Sequence, residues 1–148
     1  MGKMRKQRFV YKGSVSDDSL LIGSHGDAVL SVEGTFNLSG IIYCPKYTVT
    51  ITIKGNGKIA LRGKCNKVII KRMNGKCTLD LSEVTCRELR CECIGGQSTV
   101  FTGKTRLISQ ANLTDDAELH VTTRRLITNS FISGSSRIVR RASDIVID

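Results

Sequence analysis

The chain has 148 residues, 40% of them hydrophobic and 24% charged, with a formal net charge of +10. That is enough for one domain with a core of its own. No apolar run approaches the roughly 20 residues of a membrane helix, and no long stretch carries the i, i+3, i+4, i+7 apolar face of an amphipathic helix.

The N-terminus is basic. Lys3, Arg5, Lys6, Arg8 and Lys12 all precede the first acid, Asp17. Residues 1–13 are therefore expected as a flexible tail and residues 14–148 as the folded domain. No apolar segment follows the basic stretch, so it does not read as a secretory signal. Position 6 is Lys where N-myristoylation at Gly2 needs Ser or Thr. The expected location is cytoplasmic, or outside the cell if a leader has been removed.

A weak strand pair spans residues 19–34, with His25-Gly26-Asp27 as its turn. Residues 34–45, GTFNLSGIIYCP, break the pattern that follows and are expected as a cap or irregular segment. From there a period takes over. First strands read YTVTITI, NKVIIKRM, RELRCECI, TRLISQANL, RRLITNSFI and SDIVID. Their equivalent apolar positions are Tyr47, Val68, Leu89, Leu107, Leu126 and Ile145, a recurrence at nearly constant intervals. Second strands follow the first five: KIALRGK, KCTLDLSEV, STVFTGK, AELHVTT and SRIVRRA. The turns between them, KGNG, NG, GGQ, TDD and SGS, are rich in residues that tolerate positive φ.

Strand, tight turn, strand, basic turn, repeated about every 20 residues, is the mark of a solenoid. Strands this short bury an apolar face only by stacking on a neighbour. The expected fold is all-β: a single-domain parallel β-helix of about five to six coils, each of roughly 18–21 residues, with an antiparallel sandwich or barrel as the alternative.

Cys44, Cys65 and Cys86 recur at one constant interval, the same one that separates Tyr47, Val68 and Leu89. They should form a ladder of structural thiols. A straight column does not supply a tetrahedral point for metal. A disulfide between neighbours is the alternative, and a reducing compartment opposes it. Cys91 and Cys93 form C-x-C on one strand, which places both on one face.

The stretch NKVIIKRMNGKCTLDLSEVTCRELRCECIGGQSTV resembles the repeat of the head GIN domain, an auto-transporter adhesin family. Asn74-Gly75 and Gly95-Gly96 stand where that family has its glycine turn, and LDLSEVTCRELRC echoes its passage from second to first strand. The resemblance covers about residues 45–140. It implies a right-handed parallel β-helix and an adhesin-like role. Members of the family are typically exported and have neutral or acidic turns, whereas this chain is basic and rich in cysteine. The stacking logic is also similar to that of bactofilins, cytoplasmic β-helices that polymerise end to end.

Nothing in the chain reads as a catalytic or cofactor site. His25 and His120 belong to no metal or nucleophile motif. Asp115, Asp116 and Glu118 cluster at one turn and fit a polar cap better than a Ca²⁺ site. Sugar-cleaving enzymes need paired carboxylates on a cleft, and none repeat along the coils.

The basic turns carry the chemistry instead. In chain order they hold Arg62, Lys64 and Lys67; Arg87 and Arg90; Lys104 and Arg106; Arg124 and Arg125; Arg140 and Arg141. Stacked coils would set these in a column fit for a polyanion: nucleic acid, acidic glycan or an anionic surface. Glu83, Glu88 and Glu118 would neutralise part of it. Aromatic residues make up only 5% of the chain, with Phe101 and Phe131 nearest, which disfavours base stacking. At the far end, Asp144, Ile145, Val146 and Ile147 would leave an open strand edge. A second copy of the chain is expected to cover it. The leading expectation is a self-associating, non-enzymatic scaffold, with polyanion binding second and a carbohydrate-active enzyme third.

Overall fold

The computed structural model describes residues 7–23, 26–122 and 124–141. Lys3, Arg5, Lys6, His25, the side chain of Arg124 and the expected edge Asp144–Ile147 lie outside the described residues. The rest forms a parallel β-solenoid of about six turns, as the period predicts. Its strands are β1 (Gln7–Gly23), β2 (Ala28–Ile94), β3 (Thr99–Phe101), β4 (Lys104–Leu113), β5 (Glu118–Val121), β6 (Ser130–Ile132) and β7 (Arg137–Arg140). A short 3-10 turn, Arg124–Leu126, lies between β5 and β6. Every pairing between these strands is parallel. Among the described residues no helix is long and apolar enough to cross a membrane.

The first half of the solenoid turns its corners without leaving the sheet. β2 runs through 67 residues, more than three coils. Glycine makes this feasible. Gly13, Gly34, Gly55 and Gly75 have φ of 92°, 117°, 126° and 112°. That region is open to glycine and closed to side chains. These glycines also stack: a Cβ on Gly34, Gly55 or Gly75 would collide with the carbonyl oxygen of the glycine one rung before it.

The second half uses a different corner. Gly96, Asp115 and Gly134 have φ of 64°, 56° and 66°. This is the left-handed helical region, which Asp and Asn tolerate. Asp115 is the non-glycine residue at such a corner, and its Oδ2 accepts from Gly96 N at 2.8 Å. Tight turns of this kind interrupt the sheet, which explains the short separate strands β3 to β7.

Inside, alternate residues form one core. Leu30, Leu38, Ile51, Ile53, Ile59, Ile70, Leu79, Leu89, Ile108, Leu113 and Leu119 are all fully buried or nearly so. The alternation is the strand period of two, read off coil after coil.

The structure departs from the sequence expectation in four places. Gln7–Gly13, expected in the tail, belong to β1 and pair with Ala28–Gly34. The basic Arg8 and Lys12 obscured a strand whose Phe9, Tyr11 and Val15 pack against the core. Residues 34–45 do not cap the solenoid; they are the body of its second coil, with Phe36, Leu38, Ile42 and Cys44 buried. Residues 19–23 end one coil and residues 28–34 open the next, so that pair is not a first and second strand. Finally, Leu89 pairs with Ile108, which bridges to Ile127, and not with Leu107 and Leu126. The later coils are shorter, and the register shifts between Leu89 and Arg90.

Candidate functional site: a cationic groove

The face that follows each second strand positions the site. Outward residues here alternate with a buried row that includes Leu20, Ile22, Ile42, Cys44, Leu61, Cys65, Val84 and Cys86. Thr85 pairs with Lys104 and Cys86 with Thr105. Cys44, Cys65 and Cys86 form the expected ladder, close enough for their thiols to influence one another. That ladder sets Tyr43, Lys64, Thr85 and Lys104 in one outward column. Arg87 and Arg106 share the next, bracketed by the pairs Cys86–Thr105 and Glu88–Leu107.

A groove of about 820 Å³ runs along this face. Lys64, Arg87, Lys104, Arg106 and Arg141 line it, with hydroxyls from Ser82, Thr85, Thr105 and Thr122. Among the described residues no carboxylate lines it. Lys64, Arg87, Lys104 and Arg106 are exposed. Arg141 closes one end, donating from Nη2 to the carbonyl of Thr102, 39 residues back. Its Nε is buried with no hydrogen-bond partner among the described residues.

The other basic candidates divide. Arg62 is exposed one position from Gly63, on the same face. Lys67 and Arg90 turn away from the groove. Lys67 Nζ lies 3.3 Å from Glu88, and Arg90 Nε lies 3.3 Å from Glu92 and 3.0 Å from Gln110 Oε1. Arg140 and Arg125 are exposed elsewhere and do not line the groove. Five of the sequence candidates thus converge, and the single column expected for all of them does not form.

The neutralising acids are also partitioned. Ser109 donates to Glu88, and with Lys67 beside it this holds the carboxyl below its ordinary range. Glu118 is held low in the same way, by hydrogen bonds from His120 and then Arg137. Neither acid lines the groove, and Glu83 stands exposed at its margin. With Asp115 capping Gly96 and Glu118 engaged by His120 and Arg137, the acidic turn is a hydrogen-bonded corner. Among the described residues no group of three His, Cys, Asp or Glu side chains could hold a metal ion.

None of the six cysteines forms a disulfide, and five are buried. Burial pushes the Cys65 and Cys91 thiols up to about 12, with the neighbouring ladder thiols adding to the rise. Burial raises Cys77 and Cys86 as well. Cys91 and Cys93 do not share a face: the register slips between Cys91 and Ile94, which leaves Cys91 inside and Cys93 half-exposed. Since a buried thiol forms little of the reactive thiolate and is out of reach of reagent, one thiol per chain, the half-exposed Cys93, should react readily with a thiol reagent. All six should react after denaturation. Fast labelling of Cys65 or Cys91 in the native protein would contradict the packing described.

Sequence reasoning missed Ser82, Thr85, Thr105 and Thr122, and it missed Tyr43 beside the groove. The alternation of outward positions along each strand was the available signal. Comparison of the chain with protein-family models, with curated proteins and with solved structures found no match. The class that the structure defines is a parallel β-solenoid with a cationic groove along one face.

Proposed function

We propose that this protein is a non-enzymatic binding module whose groove takes an anionic polymer or surface. One observation carries the reading: five cations and four hydroxyls line one groove, and no carboxylate among the described residues does. A merely solvated surface has no reason to segregate charge this way, because like charges on rungs about 5 Å apart repel one another. Where cations lie off the groove, as at Lys67 and Arg90, the fold supplies acids close by. In the groove it supplies hydroxyls, which donate to phosphate, sulfate or carboxylate oxygens as well as to water. Self-association through Asp144–Ile147 has no comparable support, since that edge lies outside the described residues.

The test is salt dependence. Heparin should bind, and log affinity should fall linearly with log salt concentration. A slope of about −3 to −4 corresponds to four or five engaged cations. Absence of binding, or an affinity indifferent to salt, would remove the reading.

A further inference from the structure

Three large apolar side chains stand outside the solenoid beside the groove. Leu21 is 62% exposed, Ile41 38% and Tyr43 61%. They are neighbours: Leu21 pairs with Ile41, and Gly23 with Tyr43. The next rung carries Arg62 and Lys64 at the same outward positions, since Gly63 stacks on Ile42 and Cys65 follows Cys44. Thr85, Arg87, Lys104 and Arg106 continue the face. Pro45, from the same coil as Ile41 and Tyr43, already lines the groove mouth. The apolar patch and the groove are therefore continuous. One face is apolar over its first two rungs, and over the next three it carries Arg62 and Lys64, then Arg87 with Glu83 at the margin, then Lys104 and Arg106.

The fold does not require the apolar residues. They alternate with buried Leu20, Ile22, Ile42 and Cys44, so their outward direction is fixed by the strand period, which leaves Leu21 and Tyr43 largely and Ile41 partly in solvent. Serine or threonine would serve the sheet as well.

We propose that this face docks on an anionic lipid bilayer. Leu21, Ile41 and Tyr43 enter the boundary between headgroups and acyl chains, and the groove cations neutralise the lipid phosphates and carboxylates. The inference rests on the anion-binding reading above and names its partner. A nucleic acid or an acidic glycan would engage the cations and could stack on Tyr43, but neither offers anything to Leu21 and Ile41. A bilayer takes all of them. Tyrosine, with an apolar ring and a polar tip, suits the headgroup level. Binding at a membrane interface scales with buried apolar area plus electrostatic attraction to anionic lipids, and this face carries both. Each Lys or Arg near an anionic leaflet strengthens binding by about fivefold. Glu83, exposed at the margin, offsets part of that.

Vesicle co-sedimentation separates the cases, with heparin affinity measured alongside. The full chain should partition onto phosphatidylcholine vesicles containing phosphatidylserine, and much more weakly onto phosphatidylcholine alone. The variant Leu21→Ser/Ile41→Ser should lose at least about tenfold in vesicle binding and keep its heparin affinity. The chain has no tryptophan, so Tyr43→Trp gives a single reporter that needs no change to the other two positions. Its emission should shift to the blue on anionic vesicles. Vesicle binding unchanged in the Leu21→Ser/Ile41→Ser variant, or an unshifted Tyr43→Trp emission, overturns the lipid inference. So does binding of heparin or DNA without any binding of anionic vesicles, and that outcome leaves the anion-binding reading intact. Failure to bind any of these overturns both.

Discussion

Replacing Gly55 by alanine should destabilise the protein by about 3 kcal/mol or more, a fall in melting temperature on the order of 10 °C. Two effects add. At φ 126° the backbone of residue 55 occupies a region that side chains do not share. The new Cβ would also meet the carbonyl oxygen of Gly34, a backbone atom with no rotamer to change. Relief requires the two coils to part, which breaks parallel hydrogen bonds on either side of the corner. Gly134→Ala provides the contrast. There φ is 66°, and the Cβ would meet Asp115 backbone atoms at 3.1 Å, tight but tolerable. About 1 kcal/mol is expected for that change. Asp115→Gly should be nearly neutral, since it relieves the left-handed backbone but loses the bond to Gly96 N. Thermal or urea melts of the three variants would show the order. Equal losses at Gly55 and Gly134 would mean that stacking of the glycine column does not limit the first half of the solenoid.

The sequence marks several of these glycines as turn residues, and their stacking into a column is legible in the same interval. Gly13, Gly34, Gly55, Gly75 and Gly96 recur almost as regularly as the ladder cysteines. The solenoid was legible because each coil repeats the same chemical order, and the strand period then says which residues face inward. The first two coils were lost for a physical reason. Positive charge ahead of Gly13 is compatible both with a tail and with the outer face of a strand, and only a partner strand decides. The slip at Leu107 and Leu126 has a similar origin. When the coils shorten beyond Leu89, a pattern such as Leu-Ile offers two apolar candidates, and the pairing of Leu89 with Ile108 selects the second.

The groove was less legible, because proximity along the chain does not say which way a cation points. Lys64 and Lys67 are close in sequence, yet one lines the groove and the other meets Glu88 across a rung. Arg141 joins the groove from two coils away through the carbonyl of Thr102. Basic residues at corners were visible. Their division into paired and unpaired sets depended on partners in neighbouring coils.

The second large effect follows from that division. Arg87 and Arg106 are exposed, occupy successive rungs and make no ion pair among the described residues. The variant Arg87→Glu/Arg106→Glu should fold normally, as surface changes of this kind usually shift stability by no more than about 0.5 kcal/mol. Removing neighbouring like charges works in its favour. Binding to an anionic partner should fall by about 100-fold to 1000-fold. Each reversal removes one attraction worth about 1 kcal/mol and adds a repulsion of similar size. The salt slope should flatten in parallel, because fewer counterions are exchanged. The decisive comparison is Lys54→Glu/Lys71→Glu, at two exposed lysines that lie together outside the groove. Each reversal lowers the formal charge by two, so both double variants take it from +10 to +6. If net charge alone attracts the partner, the two will weaken binding equally. If the groove is the site, the Lys54/Lys71 variant should lose less than about tenfold and keep most of its salt slope. Equal losses would reduce the groove to a feature of a basic surface, whatever its shape.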